Sequence, residues 1–234
     1  MNFTIFLNSR GRTSQLKRCL AKIEEKTNNK NQLEVIVRAD FDDFETIEFL
    51  KPLSYEFDFK PIFGDRPASL CHSFNEMAKL GVGKYHFVLT DDAEIMTQDW
   101  DEIALGEIEE KGFKDDILYG YTSDTSIDKT VGKKYASFPI ISKRAIDILG
   151  MFMYEQFVGF GGDSSIYRVY EGINRIIDMG EIEIDHINNN SIFKVMSPDL
   201  TGHEMRQRTQ LNLIDPFSFD ISNEVNKLKT HLNE

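Results

Sequence analysis

Cysteine is almost absent from this chain of 234 residues: Cys19 and Cys71 are the only two, and they lie far apart. Both fall in helix-like patterns among apolar neighbours. The expectation is two reduced core thiols in a cytoplasmic protein, since structural disulfides belong to oxidising compartments. Two cysteines also exclude a Cys-rich zinc module. No apolar run approaches the ~20 residues that a bilayer-spanning helix needs. The N-terminus, Met1-Asn2-Phe3-Thr4-Ile5-Phe6-Leu7, has no basic segment and no small-residue cleavage site, and its apolar stretch stops at Asn8-Ser9-Arg10. It reads as a first strand rather than an export signal. Neither a P-loop nor a G-x-G-x-x-G occurs. Positive charge is short: 27 Lys and Arg against 39 Asp and Glu leave a net charge of −12. So acidic a chain repels phosphate backbones, which argues against nucleic acid and anionic membranes as partners. A small phosphate ligand stays open where local arginines or a metal supply the positive charge.

What is present is ordinary globular material, with 41% hydrophobic and 28% charged residues, enough for one large domain with a real core. The first half alternates strands and helices. Phe3–Leu7 reads as a strand. Leu16, Cys19, Leu20 and Ile23 repeat at helical spacing. Leu33–Arg38 is a second strand, followed by a short helix carrying Ile47 and Leu50. Tyr55–Ile62 is a third strand. Pro67 suits a first helical position, opening a helix with Leu70, Phe74, Met77 and Ala78 on its stripe. Tyr85–Thr90 is a fourth strand. This order predicts an α/β fold with a mostly parallel central sheet and helices on both faces. Ligands of such sheets bind beyond the carboxyl ends of the strands.

The second half is less regular. Trp100–Glu110 has a helical pattern, Ile117–Tyr121 and Phe138–Ser142 read as strands, and Lys143–Leu149 as a short helix. A Gly-rich turn over Phe157–Gly162 precedes a helix over Asp163–Glu171. Glu181–His186 alternates as a strand. From Asn188 the chain is polar. A last helix carrying Ile221, Val225, Leu228 and Leu232 would pack on the body or on a partner, so an oligomer through it is one expectation.

Five polar clusters could carry chemistry. Thr90-Asp91-Asp92-Ala93-Glu94 puts three acids in four residues after a buried strand. Such crowding suits a divalent cation, although a solvated turn would look alike. Ser9-Arg10-Gly11-Arg12 offers two guanidinium groups at a helix start, an anion site or a capping loop. Asp40, Asp42 and Asp43 follow the second strand, where an acid can hold a base N–H or a ribose hydroxyl and Asp42 or Asp43 can cap the next helix. Gly161-Gly162-Asp163 lets a backbone approach a ligand closely and sets a carboxylate where it could act as general base, or merely as a cap. Asp185-His186 ends the late strand. Gly64-Asp65-Arg66-Pro67 is a further polar loop.

Taken together and in this order, these pieces resemble the nucleotide-sugar glycosyltransferases of the GT-A fold, most closely the family 2-like enzymes. The resemblance runs from about Phe3 to His186. It rests on the Ser9-Arg10-Gly11-Arg12 loop, the acids at Asp40 and Asp42, a helix with Asn75, the Gly83-Lys84-Tyr85 turn, the Thr90–Glu94 acids, the acceptor-side segment Phe138–Ala145, Gly161-Gly162-Asp163, and Asp185-His186. It implies a nucleotide-binding half over 1–95, an acceptor half over 96–187 and a C-terminal extension over 188–234. It also implies a donor such as a UDP- or GDP-sugar, a glycan or other hydroxyl acceptor, and Mn²⁺ or Mg²⁺ as cofactor. The donor-binding set it implies is Ser9, Arg10, Arg12, Asp40, Asp42, Arg66 and Asp91. Asp92, Glu94 and His186 would serve the metal, though the sequence reads Asp-Asp-Ala-Glu and not a strict D-x-D, so the division among Asp91, Asp92 and Glu94 stays open. Asp163 would be the base in a single inverting displacement. Competing expectations are a nucleotidyltransferase, disfavoured by a first loop whose only glycine is Gly11, and an inactive nucleotide-sugar-binding domain.

Overall fold

The computed structural model describes residues 1–125, 138–157, 161–186 and 215–232. Its centre is an eight-stranded sheet. β1 (Phe3–Asn8) and β2 (Leu33–Asp40) are buried along nearly their whole length. They pair in parallel, Phe3 opposite Leu33 and Asn8 opposite Arg38. β3 (Asp58–Gly64) lies parallel outside β2, and β4 (Tyr85–Val88) parallel on the other side of β1. Buried on both faces, β1, β2 and β4 read as apolar runs, which is why they were visible from sequence, whereas β3 at the edge is only partly buried.

Helices cover both faces. α1 (Thr13–Lys26) buries Leu16, Cys19, Leu20 and Ile23, and α4 (Trp100–Lys111) buries Trp100, Ala104 and Ile108. With α2 (Phe44–Leu50) they cover the face that carries Phe3, Ile5, Leu7, Val35 and Phe87. Phe6, Ile36 and Val88 point the other way, as strand alternation requires. They meet α3 (Leu70–Leu80), α5 (Lys143–Leu149) and α6 (Gly162–Glu171). α7 (Ser222–Lys229) closes this second cluster with Leu228 fully buried and Val225 partly so. The apolar stripe of the last helix is thus used within the chain.

The sheet is mixed, with four parallel and three antiparallel pairings. The order is β3-β2-β1-β4-β7-β6-β8-β5, and only its first four strands run uniformly parallel. β7 (Pro139–Ser142) is antiparallel to both β4 and β6 (Tyr119–Asp124). β5 (Ala93–Ile95) is antiparallel to β8 (Ile176–His186). A parallel neighbour needs a crossover, usually a helix. No helix separates β4 from β5: Ala93 N donates to Thr90 O at 3.0 Å, a tight turn that sends the chain to the sheet edge. No strand is assigned to β5 from the sequence, and β8 is longer than the expected Glu181–His186.

Other boundaries move for local reasons. α3 starts at Leu70 and not at Pro67, because Ser69 is its cap, accepting from His72 N at 3.0 Å; Leu70 is exposed, not on the buried stripe. β3 starts at Asp58, where pairing with Glu34 of β2 begins, and Tyr55 ahead of it stacks on Phe57 at 4.7 Å. β6 pairs in parallel with β8, and the register jumps between Thr122 and Ser123: Thr122 lies opposite Met179 but Ser123 opposite Glu183. Val158-Gly159-Phe160 of the expected Gly-rich turn, and the boundary between 187 and 188, lie outside the described residues.

Candidate functional site

The polar segments after β1, β2 and β4 meet at one end of the sheet. Gly11 takes a left-handed conformation (φ +61°), and its N–H donates to Asp43 Oδ2 at 2.9 Å. Asp43 also caps α2, accepting from Thr46 N at 3.2 Å. One carboxylate therefore fixes both the first loop and the helix after β2. That resolves the choice between Asp42 and Asp43 as cap.

Two arginines reach from the first loop to different acids. Arg10 donates from Nη2 to Asp42 Oδ2 at 2.9 Å, binds Asp42 Oδ1 through Nη1, and reaches Asp40 Oδ2 at 3.1 Å. Such two-toothed pairing lowers the Asp42 pKa. Asp40 is held from behind by Arg38, whose Nη1 donates to Oδ1 at 2.7 Å. Arg38 is buried, also bonds Glu76 Oε2 at 3.2 Å, and reaches Asp65 O in the loop after β3. Arg66 in that loop adds its charge to Asp42. Ser9 is buried at the end of β1.

Arg12 spans the acidic pair after β4, Nη2 at 2.7 Å from Asp91 Oδ1 and Nη1 at 3.1 Å from Asp92 Oδ2. Asp91 is fully buried; burial, opposed by Arg12, lifts its pKa to about 6. Asp92 goes the other way. Burial opposes its charge, but the hydrogen bond from His186 and the charge of Arg12 prevail and hold it below the usual carboxylate range. His186 Nε2 stands 3.3 Å from Asp92 Oδ1, and Nδ1 stands 3.3 Å from Asp124 Oδ2. Burial disfavours the imidazolium, yet Asp124 and Asp92 outweigh it and raise His186 to about 9.

Glu94 does not join this group. β5 sets Ala93 opposite His186 and Glu94 opposite Asp185, so alternation turns Glu94 to the other face, where Arg18 Nε lies 3.5 Å away. Asp163 comes from a different part of the chain, just after the Gly161-Gly162 turn. It sits in the first turn of α6, accepts from Ser164 N at 2.8 Å, and has its pKa raised by burial. Gly162 beside it packs against Cys71 at the start of α3, closely enough that a Cβ there would meet Sγ at 2.5 Å. Two residues further along α3, Ser73 bonds Asn8 at the end of β1. This chain of contacts ties Asp163 to the same end of the sheet as the arginines. Asn75 on α3 is a tie of the same kind, accepting from Phe152 N and Met153 N at 2.8 Å and donating to Met153 O at 2.9 Å.

Sequence reasoning missed two residues. Arg38 reads from sequence only as the last residue of the second strand, although its i+2 relation to Asp40 places both on one face. Asp124 gave no signal, because its position depends on the register jump in β6–β8.

No family model and no curated protein matches the sequence. Solved structures do match. S. aureus TarS 1–349 in complex with UDP superposes with a TM-score of 0.62 at 12% identity, over 79% of this chain and 60% of that one. The mannosyltransferase PcManGT from Pyrobaculum calidifontis, solved with GDP-Man and Mn²⁺, gives 0.60 at 11% identity, over 98% and 73%. GalNAc-T7 with UDP, GalNAc and Mn²⁺ gives 0.63 at 13% identity, over 99% and 54%. The chain has a GT-A fold. It spans 60% of that TarS chain and 54% of the GalNAc-T7 chain. Within the GT-A fold of this chain, the arginine–acid clusters occupy the carboxyl ends of β1, β2 and β4, where open α/β sheets take their ligands. Among the described residues, no helix is long and apolar enough to cross a membrane.

Proposed function

We propose that this chain is a metal-assisted glycosyltransferase, moving a sugar from a nucleoside-diphosphate sugar to an acceptor hydroxyl with inversion. The observation that carries the reading is the meeting of Arg12, Asp91, Asp92 and His186 at the end of β4, beside the Arg10–Asp40–Asp42 cluster. The solved neighbours with this fold contain UDP, GDP-Man and Mn²⁺, which supports a nucleotide-sugar donor and a divalent ion. In this reading residues 1–95 form the nucleotide half, 96–187 the acceptor half and 188–234 an extension.

The residues fit a divalent ion. Among the described residues no three His, Cys, Asp or Glu side chains form a closed metal cage. Mg²⁺-type sites, however, use one or two protein donors and leave the remainder to water and substrate phosphates. Asp92 and His186 supply an oxygen and a nitrogen donor facing each other, and either Mn²⁺ or Mg²⁺ accepts the carboxylate. When bound, the ion would neutralise charge developing on the leaving diphosphate. Glu94, turned toward Arg18, is left out of the proposed donor set.

The chain's own groups do the remainder. Asp40, held by Arg38 and Arg10, accepts from the base or ribose, with Asp42, Arg66 and Ser9 around it. Asp91 faces the ribose. Arg12 and Arg10 exchange their carboxylate partners for the diphosphate, and so stabilise the leaving group. Asp163 takes the proton from the acceptor hydroxyl as it attacks; its burial-raised pKa suits a base. The test is hydrolysis of UDP-GlcNAc and GDP-mannose with Mn²⁺ or EDTA. Slow release of UDP or GDP, lost with EDTA, supports the reading. Pyrophosphate release from a nucleoside triphosphate would point to a nucleotidyltransferase, and ligand binding without turnover to a binding domain.

A further inference from the structure

Asp124 is 2% exposed, at the end of β6, where no sequence pattern calls for an acid. Its neighbour in the sheet is set by an irregularity. Up to Thr122, β6 advances one residue for each residue of β8; then a single step from Thr122 to Ser123 spans Met179 to Glu183 on the partner. Without that jump, Asp124 would lie beside Glu181, well short of His186. With it, Asp124 lies opposite Ile184, and its Oδ2 stands 3.3 Å from His186 Nδ1. The other ring nitrogen, Nε2, then faces Asp92 Oδ1 at 3.3 Å, with Thr90 Oγ1 at 3.5 Å. Phe138 meets the ring at 5.5 Å and a steep angle, which limits its tilt. Irregularities of this kind are common beside functional sites, where they re-aim a side chain.

We propose that Asp124, placed by the β6–β8 register jump, is a positioning residue that fixes His186 with Nδ1–H donating to Asp124, so that Nε2 is presented beside Asp92 to a divalent cation. The inference rests on Asp92 and His186 being the metal-facing pair. A carboxylate behind a ligating imidazole selects its tautomer and orientation. Asp124 touches neither donor nor acceptor in this scheme and acts through the ring.

The test is Mn²⁺ affinity, read by electron paramagnetic resonance in the presence of UDP and, in a parallel arm, GDP. Asp124→Ala should weaken Mn²⁺ binding about 10–100-fold. Asp124→Asn should lose less, because its amide oxygen still accepts from Nδ1–H. A second readout needs no metal: the imidazole nitrogen resonances of His186 in the metal-free chain should shift in Asp124→Ala and stay near wild type in Asp124→Asn. Should the alanine variant fail to fold, Asp124→Ser carries the same comparison. Wild-type Mn²⁺ affinity in Asp124→Ala, with a lowered melting temperature alone, would overturn the inference and leave the metal reading intact. Unchanged Mn²⁺ affinity in His186→Ala would overturn the metal reading itself, and this inference with it.

Discussion

His86 gives the sharpest quantitative expectation. It lies within β4, the strand that delivers Asp91 and Asp92, and has no exposed surface. Phe6 meets its ring edge-on at 4.9 Å, and Gly81 passes so near that a Cβ there would stand 3.0 Å from Nε2. Burial, and then the charge of Lys143, hold its pKa down at about 4 against an ordinary 6.5, with Glu34 and Asp147 opposing. Between those values the unfolded chain binds a proton that the folded chain refuses. The stability tied to this ring is therefore complete above about pH 6.5 and is lost as pH falls toward about 4. A depression of about 2.5 units at 1.36 kcal/mol per unit amounts to about 3 kcal/mol, of which about 2 are gone by pH 5. Urea unfolding at about pH 7.5 and about pH 5 measures it, with His86→Leu as the non-titrating reference. Other carboxylates contribute to the wild-type slope, so the reading is the difference between proteins. The loss of stability on acidification should be smaller by about 2 kcal/mol in His86→Leu, whatever the variant's absolute stability. Equal losses in both would show that the ring is protonated in the folded chain and would refute the reasoning.

Two further outcomes are expected. Asp163→Asn should cut donor hydrolysis by about 10²-fold or more while leaving UDP affinity in the presence of Mn²⁺ unchanged by calorimetry; undiminished turnover would remove Asp163 from the base role. Gly161→Ala should lower stability by about 1–3 kcal/mol, because φ is +93° and the new Cβ would stand 2.9 Å from Pro216 Cβ and 3.0 Å from Phe157 Cδ1. Thermal melting reads this as a loss of several degrees, and an unchanged midpoint would contradict the packing described.

What could be read from residues alone follows from where the signal is local. The stripe Leu16, Cys19, Leu20 and Ile23 repeats within one helix, and the apolar runs of β1, β2 and β4 stand between polar turns, so these elements were legible. Their carboxyl-end clusters were legible with them, because in parallel strands the polar residues after each strand fall at the same end. Register and edge placement were not. β5 has three residues and reads as part of an acidic turn; it becomes a strand only by pairing with β8, which lies far along the chain. Glu94 could not be separated from Asp92 without that pairing, which sets Glu94 opposite Asp185 and so on the face away from His186. Asp124 depended on a jump in pairing that leaves no mark in composition. The helix expected at Pro67 starts later, where the Ser69 hydroxyl accepts from the otherwise unpaired His72 N–H of the first turn.

The three-residue pairing of β5 with β8 also bears on how the molecule breathes. Edge strands this short open locally at far less cost than the whole domain unfolds. Each such opening parts Asp92 from His186, because that ladder holds Ala93 opposite His186. A ligand gripping both side chains must therefore pin the edge shut and slow deuterium uptake at the amides of Ala93–Ile95 in proportion to occupancy. The backbone of β5 thus becomes a gauge of what fills the crevice, readable before any acceptor is known.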